Sequence, residues 1–416
     1  MADMNSGSLD IPSLGVRAEH MIKTLASVSA EPNRLVRTFL SPEHRDAADL
    51  ITRWMQDAQL EVSEDALGTV RGHWAGTGKK RLLIGSHIDT VVDAGMFDGP
   101  LGVVAGILAA GHFAQSGRKL GFGIDVLAFA DEEGARYPVT LHSSLAAAGA
   151  FTFTSLEVAD VDGVTLREAI TRFGKNADDI PAAAYARDEA AAYVEVHIEQ
   201  GPVLEHRNQP LGVVSSIAGQ THLNVELLGE AGHAGTVPML LRRDALAGGA
   251  EVILLAERLA RETRGDVVAT VGHINIPAAA SNVIAGNVAL IVDIRAGADQ
   301  ARLQFIERFK AETRIIAEKR HLGLLVTTTR DVAMTPCNPV LQEGFAAAVT
   351  AVGGQPMYLA SGAGHDGTAM AKLCPIGMLF VRCRGGVSHN PAEYASPSDM
   401  GLAVAALIKF IEGFKP

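Results

Sequence analysis

Apolar residues begin to recur at helical spacing near Ile11, after a polar leader, and the same spacing returns across Pro42–Ala58. Between Leu60 and Trp74 the segment LEVSEDALGTVRGHW alternates apolar and polar positions, the pattern of two short strands. RLLIGSH (Arg81–His87) is then almost wholly apolar. Gly99–Gln115 is a run of small and apolar residues long enough for a helix, and GFGIDVLAFADEEG (121–134) turns apolar again. Strands without alternation lie in sheets covered on both faces, so this rhythm predicts an α/β unit: a mixed, mostly parallel sheet covered by helices. AAYVEVHIEQGP (Ala191–Pro202) reads as a further strand that runs into a polar loop.

The rhythm changes at Leu211. From there to Thr329 the pattern predicts two strands, a long helix over Arg242–Arg264, two strands, a second helix over Ala301–Lys319 and a last strand. VVATVGHINI and NVALIVDIRA alternate with period two, as antiparallel strands with one covered face do. This stretch, about residues 214–330, reads as a small α+β unit inserted into an α/β unit made of 1–213 and 331–416. After Asn338 the first rhythm resumes: a helix, a strand, the loop SGAGHDG (Ser361–Gly367) opening a helix, the strand PIGMLFVRC, the loop RGGVSHNPAEY and a closing helix from Pro397. A length of 416 residues exceeds the usual reach of one core, which agrees with two domains.

Composition narrows the function classes. A net charge of −11 with no basic block argues against a nucleic-acid partner. The three cysteines, Cys337, Cys374 and Cys383, form no CxxC pair, which argues against a disulfide framework or a cysteine zinc site. The first residues lack the basic start and apolar core of an export signal, and no apolar run is long enough for a bilayer. The expected compartment is the cytoplasm, with no membrane partner.

Candidate chemistry sits at the strand ends, where α/β sheets keep their ligands. GSHIDTVVDAGMFDGPLG (Gly85–Gly102) carries His87, Asp89 and Asp98; FADEEGARYP carries Asp131, Glu132 and Glu133; VEVHIEQG carries His197, Glu199 and Gln200; GGVSHNPAEY carries His389. Each loop alone is more often an ordinary hydrogen-bonded turn or a solvated surface. Together, imidazoles and carboxylates without thiolates suit zinc, manganese or nickel. Asp89, two residues from His87, is placed to accept the second N–H of that imidazole. In the Glu132–Glu133 pair one carboxylate can bind metal while the other stays free as a general base, provided the strand breaks there, as Gly134 allows.

The ordered motifs HID, MFDGPLG, DEEG, HIEQGP and VSHNPAEY resemble those of the metal-dependent peptidase family M20, and within it the N-carbamoyl-L-amino acid hydrolase, β-ureidopropionase and allantoate amidohydrolase branch. The resemblance runs from about Arg81 to the C-terminus. It implies two divalent metal ions per subunit, zinc or else manganese, cobalt or nickel. His87, Asp98 and His197 would hold one ion, and the bridging Asp98 with Glu133 and His389 the other. It also implies hydrolysis of a ureido or carbamoyl C–N bond, with Glu132 as general base toward a hydroxide shared by the metals, releasing ammonia and carbon dioxide. His197 stands where many peptidases of the family place a carboxylate. The inserted unit would be a ferredoxin-like lid and dimerisation domain, making the protein a homodimer.

The substrate would be a small ureido compound bearing a carboxylate. In GEAGHAGTVPM, the resemblance has His233 reach the partner subunit's active site and polarise the scissile carbonyl. Arg295 ends an apolar strand, where an arginine is either a surface terminus or an anion clamp, and the resemblance favours the clamp, with Asn282 as the second group that fixes the carboxylate. Gln200 adjoins a proposed ligand and would orient it or the substrate. SGAGHDG offers Gly362, His365 and the backbone N–H groups of a helix start to an anionic group, or else is a glycine turn braced by His365. Two places depart from the family pattern: His222 in AGQTHLNV, where many carbamoylases carry arginine, and Leu141–Phe151. The alternatives are a metallopeptidase or deacylase acting on N-acyl amino acids or dipeptides, and a non-catalytic metal-binding scaffold.

Overall fold

The computed structural model describes residues 9–277 and 279–416, so most of the polar leader lies outside the described residues. The chain divides into two units: residues up to Ser215 with Pro336–Leu359 and Gly364–Pro416, and Ser216–Thr335 with Ala360–Ala363. The second unit therefore begins and ends slightly later than 214 and 330. The strand entering it runs through Ile217, and the strand leaving it continues to Val332.

In the first unit the strands are β1 (Glu61–Glu64), β2 (Val70–Trp74), β3 (Arg81–His87), β4 (Gly123–Phe129), β5 (Ala190–Ile198) and β6 (Leu211–Ile217). Strands β7 to β12 belong to the second unit. The chain then returns through β13 (Thr335–Pro336), β14 (Tyr358–Ser361) and β15 (Ile376–Val381). The sheet order is β1-β2-β4-β3-β5-β15-β6-β13, with β14 also on β6. Neighbours β4, β3, β5 and β15 are parallel, and β2 and β6 flank them antiparallel. Helices α1 (Ile11–Ala26), α2 (Pro42–Asp57) and α3 (Pro100–Ser116) pack on this sheet. Two short helices, α4 (His142–Ala147) and α5 (Leu166–Arg172), and the one-turn α6 (Val203–His206) precede the second unit. Leu82, Ile84, Val126, Val194 and Leu379 of the strands meet Ile22, Val104, Leu108, Val404 and Leu407 of the helices in the main core. Nearly every side of α3 is buried, as its unbroken apolar sequence requires.

The second unit runs β7 (Gly219–Leu228), the two-residue β8 (Gly232–His233), α7 (Ala245–Glu262), β9 (Val267–Asn275), the two-residue β10 (Val283–Ile284), β11 (Asn287–Ala296), α8 (Asp299–Lys319) and β12 (Gly323–Val332). Its antiparallel sheet, ordered β12-β7-β11-β9, has the connectivity of a ferredoxin-like unit. Leu223, Val225 and Leu227 alternate inward against Leu255, Phe305 and Phe309 of its helices. The chain ends with α9 (Pro339–Ala351), α10 (Gly367–Met370) and α11 (Pro397–Gly413). The helix expected after SGAGHDG is thus a single turn, because Pro375 and the start of β15 at Ile376 follow at once. Among the described residues no helix is long and apolar enough to cross a membrane.

The segment 142–185 carries little periodic signal, yet it builds a second core in which Leu156, Leu166, Ile170 and Ile180 pack with Phe39, Leu67 and Tyr137. Arg37, fully buried, ties two regions together. Its Nε donates to the Ile88 carbonyl (2.6 Å), and its Nη1 donates to the carbonyls of Leu25 (3.0 Å) and Val28 (2.9 Å) after α1. His44, also fully buried, stacks on Phe173 at 5.1 Å and accepts the Leu40 N–H on Nδ1 (3.0 Å).

Burial, with the charges of Arg45 and Arg37, pushes the His44 imidazole down to about 3. Its folded value lies below its unfolded one, so this contribution to stability is complete above pH about 6.5 and lost as the pH falls. Between pH 7.5 and 5.0 the group should cost about 2 kcal/mol. Denaturant titrations of wild type and His44→Gln at the two pH values should show the smaller pH effect in the variant. Equal pH effects in both would contradict the assignment.

Candidate metal centre

The parallel register of β3, β4, β5 and β15 brings their carboxyl ends level, with His87 opposite Phe129 and His197 opposite Phe380. Four loops therefore emerge at one edge, the crevice where open α/β sheets bind ligands. His87 is the last residue of β3 and His197 the penultimate residue of β5, both 1% exposed. Asp98 comes from the loop before α3. Gly99 (φ +82°) lets that loop close on the strand, because a Cβ there would lie 2.5 Å from the His87 ring. Glu132 and Glu133 follow β4, and His389 follows β15 on a left-handed backbone (φ 53°), half-exposed.

Asp98 is the meeting point. Its Oδ1 lies 3.1 Å from His197 Nε2 and 3.5 Å from His87 Nε2; its Oδ2 lies 3.4 Å from His389 Nε2. His389 Nε2 is in turn 3.4 Å from Glu133 Oε2. Ligand-capable atoms of His87, Asp98 and His197 lie within 4.8 Å of one another, and so do those of Asp98, Glu133 and His389. The two groups share Asp98. Gln200, also left-handed (φ 55°), donates through Nε2 to Asp98 Oδ2 (2.7 Å).

The second nitrogens of the two buried histidines are committed to oxygen. His197 Nδ1 meets the Ile198 carbonyl at 2.9 Å; His87 Nδ1 meets the Asp89 carbonyl at 3.1 Å and Asp89 Oδ1 at 3.4 Å. With N–H on Nδ1, each Nε2 turns a lone pair toward the Asp98 carboxylate. His197 Nε2 is buried without a hydrogen-bond partner among the described residues. A lone pair facing a carboxylate oxygen at 3.1 Å is repulsive unless a proton or a cation lies between them. Imidazole and carboxylate donors of this kind suit a divalent transition ion, so the residues fit one.

The carboxylates supply the complementary charge. Burial would raise Asp98, but the three imidazoles hold it well below the usual carboxylate range. Burial and the Asp98 charge push Glu133 up to about 7. Burial, reinforced by Glu133, Asp366 and Asp89 and only partly offset by His87, pushes Glu132 well above the carboxylate range. The hydrogen bond to Asp98, against the effect of burial and with help from Glu133, raises His389 to about 9.

Asp89 does more than orient His87. Its Oδ1 accepts the Glu132 N–H (3.0 Å) and its Oδ2 the Glu133 N–H (3.1 Å), so one carboxylate fixes the backbone of both glutamates. Of the other acids in the motif loops, Asp131 pairs with His142 (2.5 Å), and Glu199 accepts the N–H groups of Val203 (2.8 Å) and Leu204 (2.9 Å) at α6, away from the centre. His365 is buried with its ring 4.5 Å from that of His197, and a Cβ on Gly364 would lie 3.7 Å from Glu132 Oε1. Two of the loop's amides are engaged within the protein. The Gly367 N–H donates to Glu195 Oε2 (3.2 Å), and the Ala363 N–H to the Ser361 hydroxyl (3.2 Å).

In the second unit His233 is exposed, and its Nδ1 accepts the Gly235 N–H (3.0 Å). Asn282 sits beside it, its carbonyl accepting the Ala234 N–H (2.8 Å). Arg295 lies on β11, braced by Asp293 (2.8 Å) and by the Gly362 carbonyl (2.8 Å). Asp293 also faces His222, the residue that departs from the family pattern, at 3.6 Å.

The sequence reading missed Glu195, Ser388, Glu393, Asp366 and Asp293. Period two in VEVHI places Glu195 on the His197 side of β5, a readable signal. Glu195 accepts from the Ser86 hydroxyl (3.0 Å) and the Tyr193 hydroxyl (3.1 Å). Ser388 and Glu393 owe their role to partners nearly 300 positions away, which no local pattern marks.

A family model described as Peptidase family M20/M25/M40 matches residues 83–413. Allantoate deiminase 1 of Glycine max is 40% identical over 423 residues, covering 93% of this chain and 87% of that protein. An N-carbamoyl-L-amino acid amidohydrolase of Geobacillus stearothermophilus is 38% identical, covering 94% of this chain and 97% of that protein. A solved structure of an amidase of the hydantoinase/carbamoylase family from Burkholderia multivorans matches with a TM-score of 0.89 at 30% identity, covering 95% of this chain and 97% of that one.

Asp89→Asn should loosen the glutamate pair, since an amide has one acceptor oxygen for two N–H donors. Loss of such an outer partner typically weakens metal binding about 10–100-fold. Titration against a competing chelator measures this, and an unchanged affinity would remove Asp89 from its role.

Proposed function

The chain belongs to peptidase family M20/M25/M40, and on that footing we propose that it is a metal-dependent amidohydrolase cleaving a ureido or carbamoyl C–N bond, with allantoate or an N-carbamoyl-L-amino acid as substrate. The observation that carries this reading is the pair of imidazole–carboxylate groups joined through Asp98, with Glu132 beside them, in a chain alike over its length to enzymes of those names.

Two divalent ions per subunit, zinc or else manganese, cobalt or nickel, would be held by His87, Asp98 and His197 and by Asp98, Glu133 and His389. When bound, such ions supply Lewis acidity and make a water more acidic. Glu132 takes the proton from the attacking water and delivers it to the departing nitrogen, and its buried setting, which raises its affinity for a proton, favours this proton traffic. Glu133, one residue on, is turned to His389, so the adjacent carboxylates have separate tasks. The products are an amine or amino acid, ammonia and carbon dioxide.

The second unit supplies substrate-reading groups. Because His233 Nδ1 accepts a backbone N–H, its proton resides on Nε2, free to donate to the developing oxyanion of a partner subunit's substrate. Arg295, braced by Asp293, and Asn282 read the substrate carboxylate. Gln200, Gly362 and His365 complete the contacts. Met239, Leu240 and Leu241, exposed at 74%, 98% and 74% a few residues after His233, support a homodimer in which a second copy covers them. Three buried, unpaired cysteines suit the reducing cytoplasm.

Glu132→Gln should retain metal content and lose activity on the order of a hundredfold or more, since an amide accepts no proton. Metal analysis and kcat together test this, and near wild-type turnover would end the assignment. A substrate panel decides the reaction: allantoate and N-carbamoyl-L-amino acids should turn over, and preferential hydrolysis of N-acetyl amino acids or dipeptides would favour a deacylase or peptidase instead. His233→Ala should lose mainly kcat, by about 2.7–4 kcal/mol of barrier. Mixing it with Glu132→Gln subunits should restore one competent site per hybrid dimer. Confirmed hybrids without recovery would place the histidine's action elsewhere.

A further inference from the structure

Asp98 is held from behind by a group outside the ligand sets. Glu393, 3% exposed, lies four residues after His389 in the loop that follows β15. Its Oε1 accepts the N–H of Phe97 (2.8 Å) and the N–H of Asp98 itself (3.0 Å). The Ser388 hydroxyl lies 2.9 Å from Glu393 Oε2 and 2.6 Å from Asp98 Oδ2. One buried carboxylate thus grips the backbone of the shared acid and, through Ser388, both its side chain and the residue before His389. This mirrors the hold of Asp89 on the two glutamates. Gly95 leaves room for it: a Cβ there would lie 2.3–2.4 Å from Glu393 side-chain atoms.

We propose that Glu393 is a positioning residue of the metal centre, which fixes the orientation of Asp98 and the loop of His389 so that both ion sites can be occupied together. The proposal rests on the reading of Asp98 as the shared ligand. Glu393 lies outside both ligand groups; it acts by denying Asp98 rotation and by keeping two buried N–H groups satisfied.

The test is cobalt titration of the metal-free full-length protein against a competing chelator, with the visible cobalt spectrum and the unfolding midpoint of the metal-free state recorded alongside. Glu393→Ala should bind cobalt about 10–100-fold more weakly, with an altered spectrum. Glu393→Gln should keep most of the affinity, because its Oε1 still accepts both N–H groups and its amide can donate to Ser388. A purely structural role would lower the midpoint of Glu393→Ala and leave affinity and spectrum unchanged, which overturns the proposal. If Glu393→Ala does not fold, Gly95→Ala takes its place, since it displaces Glu393 while every ligand remains. Weakened cobalt binding then supports the proposal, and wild-type binding overturns it. Wild-type protein that bound no cobalt would overturn the two-metal reading as well, so the failures are distinguishable.

Discussion

One carboxylate has to face three imidazoles from separate parts of the chain. His87, His197 and His389 all turn their Nε2 atoms toward Asp98, and no local interaction could bring residues so distant in sequence to one point. The parallel sheet makes it possible. Buried strands of matched register place their ends in a row, and each loop needs only a few residues to reach the centre. The largely apolar character of β3, β4 and β15 is therefore a requirement of the chemistry as well as of the core. A slip of one residue would turn every strand-borne group to the opposite face.

The second organising feature is how negative charge is kept in place. Asp89, Asp98, Glu132, Glu133, Glu195, Asp366 and Glu393 crowd into a small, mostly dry volume, where each raises the cost of ionising its neighbours. Some of these acids are stabilised by backbone N–H groups. Asp89 and Glu393 each accept two consecutive amides, a use of carboxylates that tethers loops without a helix or strand. Asp98 and Glu133 are stabilised by imidazoles instead. Glu132 is only partly compensated, by His87, which suits a group that must gain and lose a proton.

Much of this was legible in the sequence, because it is written locally. Largely apolar runs marked the inner strands, strict alternation marked the antiparallel sheet of the second unit, and His87, Asp98, Glu133, His197 and His389 of the ordered motifs do converge. Three things were hidden. The segment 142–185 folds through short turns with no sustained period, so its core was invisible until Phe39 and Tyr137 were seen against it. Ser388 and Glu393 look like surface residues of a proline-containing loop, and only the closure of the sheet brings Phe97 and Asp98 to them. The loop at SGAGHDG suggested a helix start, but the following strand leaves room for one turn, and Glu195, distant in sequence, takes the Gly367 N–H.

The buried Arg37 gives the N-terminal region a part in the chemistry that its own residues do not advertise. The guanidinium spans the end of α1 and the carbonyl of Ile88, the residue between His87 and Asp89. The family match starts at residue 83, so a fragment cut to that boundary would keep every proposed ligand and forfeit this brace. The backbone between His87 and Asp89 thus draws support from outside the segment that carries the family's motifs. Any attempt to transplant the centre into another scaffold would have to carry a guanidinium, or a substitute for it, beneath the first histidine.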